Sequence, residues 1–137
     1  MKLEIQDTIK IREIKDIFNH AFPYLKIEFF TRQHAPGEAT SIDNLVHGNQ
    51  SLGEINSYVK KGSMLIQPDD TVASVEQSFQ EKFGLAIQVF RKQKESWIET
   101  TKTDHLTLSQ QNEKGKEACM PAIHTEPGDR YLEDGQY

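Results

Sequence analysis

The chain carries the same hydrophobic pattern twice, and this constrains its fold more than any other feature. In the first stretch Ile5-Gln6-Asp7-Thr8 leads into Ile11, Ile14, Phe18 and Phe22, then into Leu25, Ile27, Phe29 and Phe30. In the second, Ile66-Gln67 and Asp70-Thr71 lead into Val72, Val75, Phe79 and Phe83, then into Leu85, Ile87, Val89 and Phe90. The helical positions of one stretch map onto those of the other at constant spacing, with one residue dropped before the closing strand. Two copies of one supersecondary unit leave such a trace.

Each stretch reads as strand, helix, strand. Lys2 to Gln6 alternates polar and apolar at the strand period of two. Ile11, Ile14, Phe18, Ala21 and Phe22 then fall on one helical face. Asp7 or Thr8 in the first copy, and Asp70 or Thr71 in the second, stand where a side chain would cap the helix. Pro23 and Gly84 are equivalent stops, one unable to continue a helix and the other suited to a left-handed turn. Leu25 to Phe29 and Leu85 to Val89 alternate again, so the phenylalanines read as core.

The connection over 31–63 is long enough to need structure of its own. Ser51 and Glu54 form a capping box, and Leu52, Ile55, Tyr58 and Val59 make an apolar stripe. Together with Lys60, Lys61 and Gly62 they predict a helix ending near Gly62, while His34 to Gln50 is irregular. After the second copy, Arg91 to Ser96 reads as a hairpin into a third strand, Trp97 to Thr101. Thr107 and Gln110 make another capping box, with Gly115 as the expected stop. Residues 119–137 have no sustained period and read as an acidic tail on a single domain spanning 1–118.

The expected fold is therefore α+β and ferredoxin-like. Two βαβ units surround one antiparallel sheet, with a helix-containing insertion between them and an extra strand and short helix at the C-terminal end. A β-grasp-like sheet is the alternative.

Charge and residue chemistry narrow the function by exclusion. The 16 basic and 21 acidic residues give a formal charge of -5, the wrong sign for a dedicated duplex binder. Cys119 is the only cysteine, so no intrachain disulfide forms. No apolar run is long enough to span a bilayer, and a cytoplasmic protein without a membrane partner is expected.

The histidines His20, His34, His47, His105 and His124 lack zinc-site spacing, and His124-Thr125-Glu126 has no Pro-Cys-x-x-Cys to complete a deaminase signature. A nucleophilic Cys119 would need a base such as His105 or His124 beside it. Asp69 and Asp70 stand where a helix cap belongs, and no glycine-rich phosphate loop is present. No metal or cofactor is expected, and these residues identify no catalytic group.

Three functional readings remain, in this order. The first is a non-enzymatic binding or oligomerisation module, whose partner is a second copy, another protein or a small molecule. The second is a small enzyme with a site in the central connection, built from His34, Glu38 and His47. The third is single-stranded nucleic-acid binding through the run Phe90-Arg91-Lys92-Gln93-Lys94 and Trp97. It ranks last because no RNP-like motif appears and Glu95 and Glu99 offset the local charge. The candidate surface comprises Phe30, Phe90, Arg91, Lys92, Lys94 and Trp97. Strand alternation points Phe30 and Phe90 away from the core side, toward an open face of the sheet.

Overall fold

Strands pair across the two halves of the chain. In the computed structural model, which describes residues 1–31 and 42–120, β1 (Lys2–Ile5) lies antiparallel to β3 (Gly62–Leu65). Likewise β2 (Leu25–Phe30) lies antiparallel to β4 (Ala86–Gln93). β5 (Ser96–Glu99) joins the other edge of β4. Four helices complete the mixed α+β architecture: α1 (Ile11–Ala21), α2 (Leu52–Ile55), α3 (Val72–Phe83) and α4 (Leu108–Cys119).

The strands form two sheets, β1-β3 and β2-β4-β5, where the sequence predicted one. β1 ladders with β3 and β2 with β4, and among the described residues no ladder joins the two pairs. The β1-β3 ladder is centred near the Leu3–Met64 pair, and Glu28 lies opposite Gln88 within the β2-β4 ladder.

One core fills the space between the sheets and helices. Leu3, Ile5 and Met64 bury the inner side of β1-β3, and Leu25, Ile27, Phe29, Ile87 and Val89 bury the inner side of the larger sheet. Phe18 on α1 and Phe79 on α3 are fully buried between them, and the Phe79 ring meets Phe29 edge-on at 6.4 Å. Burying such a ring stabilises the fold by roughly 1.5–3 kcal/mol.

The first turn of α1 is not capped by Asp7 or Thr8. Its N-cap is Lys10, which makes no side-chain cap bond. The connection supplies the missing acceptors: Gln50 O takes the Ile11 N–H at 2.9 Å, and Asn49 Oδ1 takes the Arg12 N–H at 3.1 Å. Helix α3 keeps its own cap, with Thr71 Oγ1 accepting from Ser74 N–H. It also borrows Leu106 O for Val72 N–H and Asp104 O for Ala73 N–H. Gly84 ends α3 at φ 69°, the left-handed conformation its position predicted.

Both capping boxes form. Ser51 and Glu54 bond reciprocally at α2, and Thr107 and Gln110 at α4. The predicted length of the first of these helices needs correction. It stops at Ile55, Tyr58 is 87% exposed, and Gly62 begins β3. Asn56 ends it: its side chain accepts from Tyr58 N–H and donates to Gly84 O, drawing the backbone out of the helix.

The predicted stop at Gly115 also fails, since α4 runs through it to Cys119. Gly115 serves close approach instead. A Cβ there would lie 2.7 Å from Tyr24 Cβ and 3.1 Å from Tyr24 O.

A similar pair of hydrogen bonds occurs within each half. Leu52 N–H donates to Ile9 O and Gly53 N–H to Asp7 O. Leu108 N–H donates to Asp70 O and Ser109 N–H to Pro68 O. Isolated bridges join Lys10 to Ser51 and Thr71 to Thr107, each linking the start of a long helix to the start of a capped one. The segment around Leu45 borders β2 near Phe30, with Val46 N–H on Phe29 O, much as β5 borders β4.

Candidate functional site

The β2-β4-β5 sheet has two unlike sides. On one lie Leu25, Ile27, Phe29, Ile87 and Val89, packed in the core with Phe18 of α1 and Phe79 of α3. Helix α4 belongs to this side. Leu108 is in the core, and Gln111 Oε1 accepts from Arg91 Nη1 at 2.8 Å. On the other side, cross-strand pairing aligns Lys26 with Phe90 and Glu99, Lys92 with Trp97, and Glu28 with Gln88.

Lys26 organises this second side. Its Nζ lies 5.6 Å from the Phe90 ring centroid and 4.9 Å from that of Trp97. Lys92 Nζ lies 5.6 Å from the same indole. Each such contact contributes on the order of 0.5–1 kcal/mol at an exposed site and more when water is excluded. Glu28 receives Lys26 Nζ at 3.2 Å and Lys15 Nζ, from α1, at 2.7 Å. The Lys26 ammonium is thus positioned by an indole, a phenyl ring and a carboxylate. Among the described residues, neither Lys92 nor Lys94 has a carboxylate within ion-pair distance.

The tip of the β4-β5 hairpin extends this surface. Gln93 pairs with Ser96, leaving Lys94 and Glu95 as a two-residue turn. Lys94 adopts φ 55°, a left-handed conformation that costs an L-residue roughly 1 kcal/mol and that glycine or asparagine adopts more easily. Beside the tip, a groove of about 720 Å³ is lined among others by Tyr24, Lys92, Lys94, Glu95, Cys119 and Met120. Cys119 Sγ donates to Lys94 O at 3.9 Å, tying the end of α4 to the tip. Lys92 lines the groove and also lies over Trp97, so groove and sheet surface are continuous.

Of the residues singled out from the sequence, Phe90, Lys92 and Trp97 come together on this surface, and Lys94 stands at its rim. Two do not join them. Arg91 lies on the helix-covered side with Gln111. Phe30 is only 3% exposed, because the segment around Leu45 closes that end of β2. The expected open pair of phenylalanines is therefore a single half-buried ring, Phe90. Helix α4 meets the sheet through Leu108, Gln111 and Gly115 on the Arg91 side, and its end reaches the groove beside Lys92.

Sequence reasoning missed Lys26, Glu28 and Lys15. Alternation along Leu25-Lys26-Ile27-Glu28 does assign Lys26 and Glu28 to the outer side, but only the register with β4 brings them to Phe90 and Gln88.

The alternative site in the connection is only partly described. His47 is exposed, and His34 and Glu38 lie outside the described residues, as does the acidic segment after Met120. Among the described residues no three His, Cys, Asp or Glu side chains are grouped to hold a metal ion. None of their helices is long and apolar enough to cross a membrane. Comparison of the chain with protein-family models, curated proteins and solved structures finds no match.

Proposed function

We propose that this protein is a non-enzymatic binding module that takes an anionic ligand on the Lys26–Phe90–Lys92–Trp97 surface. One observation carries the reading: two ammonium groups gather around one indole in a chain of net charge -5. Like charges around one ring repel, and a counter-charge near both offsets that repulsion. Glu28 offsets Lys26 from one side, and an anion over Trp97 would offset both lysines.

The side chains there offer binding chemistry, with cations for an anionic group and ring faces for a flat one. They supply no nucleophile paired with a base. Trp97 is the only tryptophan, so fluorescence excited selectively at the indole reports on this surface alone. Titration with inorganic polyphosphate should change that fluorescence saturably, and Lys26→Gln with Lys92→Gln should abolish the response. An unchanged spectrum at all concentrations overturns the reading.

A second proposal concerns the architecture: the two halves descend from one duplicated unit that is longer than the sequence repeat. In this reading α2 and the Leu45 segment are the first half's counterparts of α4 and β5, not an insertion. The spacing that maps Ile11 onto Val72 also maps Leu3 onto Met64, and the shorter spacing of the closing strands maps Glu28 onto Gln88. These are the pairs lying opposite each other in the two ladders, as a pseudo-two-fold axis requires. It also maps Ile9 and Asp7 onto Asp70 and Pro68, which accept the corresponding bonds from α2 and α4.

The test exchanges equivalent core groups: Ile11→Val and Ile14→Val together with Val72→Ile and Val75→Ile. Equivalent surroundings predict a loss under about 1.5 kcal/mol in denaturant melts, as for volume-conserving swaps. A loss of more than about 3 kcal/mol overturns the duplication.

A further inference from the structure

Resting on the anion-binding reading above, we infer that the ligand is a single-stranded nucleic acid, running from Phe90 across Trp97 into the groove beside Lys94. Phe90 is followed by Lys26, Trp97 by Lys92, and Tyr24 shares the groove with Lys94. Lys26 and Lys92 both reach Trp97, and Phe90 on one side and Tyr24 with Lys94 on the other extend the run of rings and cations beyond that point. A compact anion would use one cation pair and leave the rest idle. A chain with a flat group and a negative charge at each repeat uses all of them, with bases on the ring faces and phosphates at the ammonium groups.

A duplex fits poorly, since its base faces are stacked inside and it presents little but phosphate. The tip geometry adds a separate observation. A lysine occupies the left-handed position of the turn, where glycine or asparagine would be unstrained, and its side chain lines the groove that continues the path.

Asymmetry between the halves points the same way. Under the proposed duplication the counterpart of Lys26 is Ala86, and that of Phe90 is the buried Phe30. The cation and the accessible ring are thus found at one end of the sheet only, as expected of a site acquired by one half.

The experiment titrates the full chain with three oligomers of equal length, read by Trp97 fluorescence and by anisotropy of end-labelled probes. They are a mixed-sequence single strand, the same strand with every base removed, and the corresponding duplex. The single strand should bind tightest and quench Trp97. Lys26→Gln and Lys92→Gln should each weaken it several-fold and lower the salt slope by about one, while each variant still melts in one cooperative transition. If the abasic strand or the duplex binds as tightly as the single strand, the nucleic-acid inference is overturned while anion binding stands. If polyphosphate binds and no oligomer does, the outcome is the same. If nothing binds, both fall. If light scattering finds a dimer that Lys26→Gln dissociates, the surface belongs to a second copy of the chain and the inference is overturned.

Discussion

Glu76 on α3 takes the main-chain N–H of Val89 at 2.9 Å, at the point where β5 no longer follows β4. The last β4-β5 pair is Phe90 with Glu99, and the next residue of β5's strand, Thr100, donates its hydroxyl to Val89 O at 2.8 Å. A carboxylate and a hydroxyl thus replace the ladder partner that Val89 would have had. Both side chains are buried. Leaving a buried backbone group without a partner costs roughly 1–3 kcal/mol. Glu76→Ala should destabilise the protein by about that amount, and Glu76→Gln by less, because the amide oxygen can still accept. Urea melts of the two variants decide it, and equal losses would mean that the carboxylate's charge matters more than its acceptor.

Gly115→Ala sets two effects against each other. Helix propensity favours alanine by roughly 1 kcal/mol. The close approach to Tyr24 opposes it, because Tyr24 O is backbone and gives way only if β2 or α4 shifts. Overpacking of this kind costs roughly 1–3 kcal/mol, so a net loss of stability is expected. A gain in the melting temperature would show that α4 is not seated against Tyr24.

Lys94→Asn should relieve the turn, since asparagine tolerates left-handed φ better than lysine. The expected gain is about 0.5–1 kcal/mol. The same change should weaken single-strand binding, so stability and affinity move in opposite directions. Paired melts and titrations of this one variant check both.

Glu54 gives a pH signature. Accepting the Ser51 backbone N–H holds its carboxyl below the ordinary glutamate range, helped by the Ser51 side chain and, more weakly, by Lys10. With the folded pKa lowered, the bonus is present above the unfolded value and is lost as pH falls through the folded one. The stability difference between the native chain and Glu54→Gln should therefore shrink on acidification through the carboxylate range. A difference that stays constant with pH would show that the charge contributes nothing to the capping box.

Local features were legible in the sequence wherever the chain answers to its own neighbours. The two capping boxes, Thr71, Gly84 and the buried Phe18 and Phe79 all follow from spacing within one helix. Features that depend on distant partners were not. The cap of α1 comes from Asn49 and Gln50, so nothing near Ile11 announces it. Gly115 looks like a stop until Tyr24 is placed against it. Half of the candidate surface was visible as the Phe90-to-Trp97 run. Lys26, which organises it, depends on a pairing register that alternation alone leaves open.

The crosswise pairing of β1 with β3 and β2 with β4 has a kinetic consequence. Neither of these ladders can close until residues some sixty positions apart meet, so the entropy of a long loop must be lost before the first rung forms. Newly made residues 1–31 hold helix α1 but none of the strands that β1 and β2 need. They must wait, apolar faces unmatched, until Leu65 and then Gln93 have emerged. The same wiring gives the halves strong mutual affinity. A chain nicked in the exposed stretch near Gly48 would keep its two pieces together, each supplying the missing edges of the other.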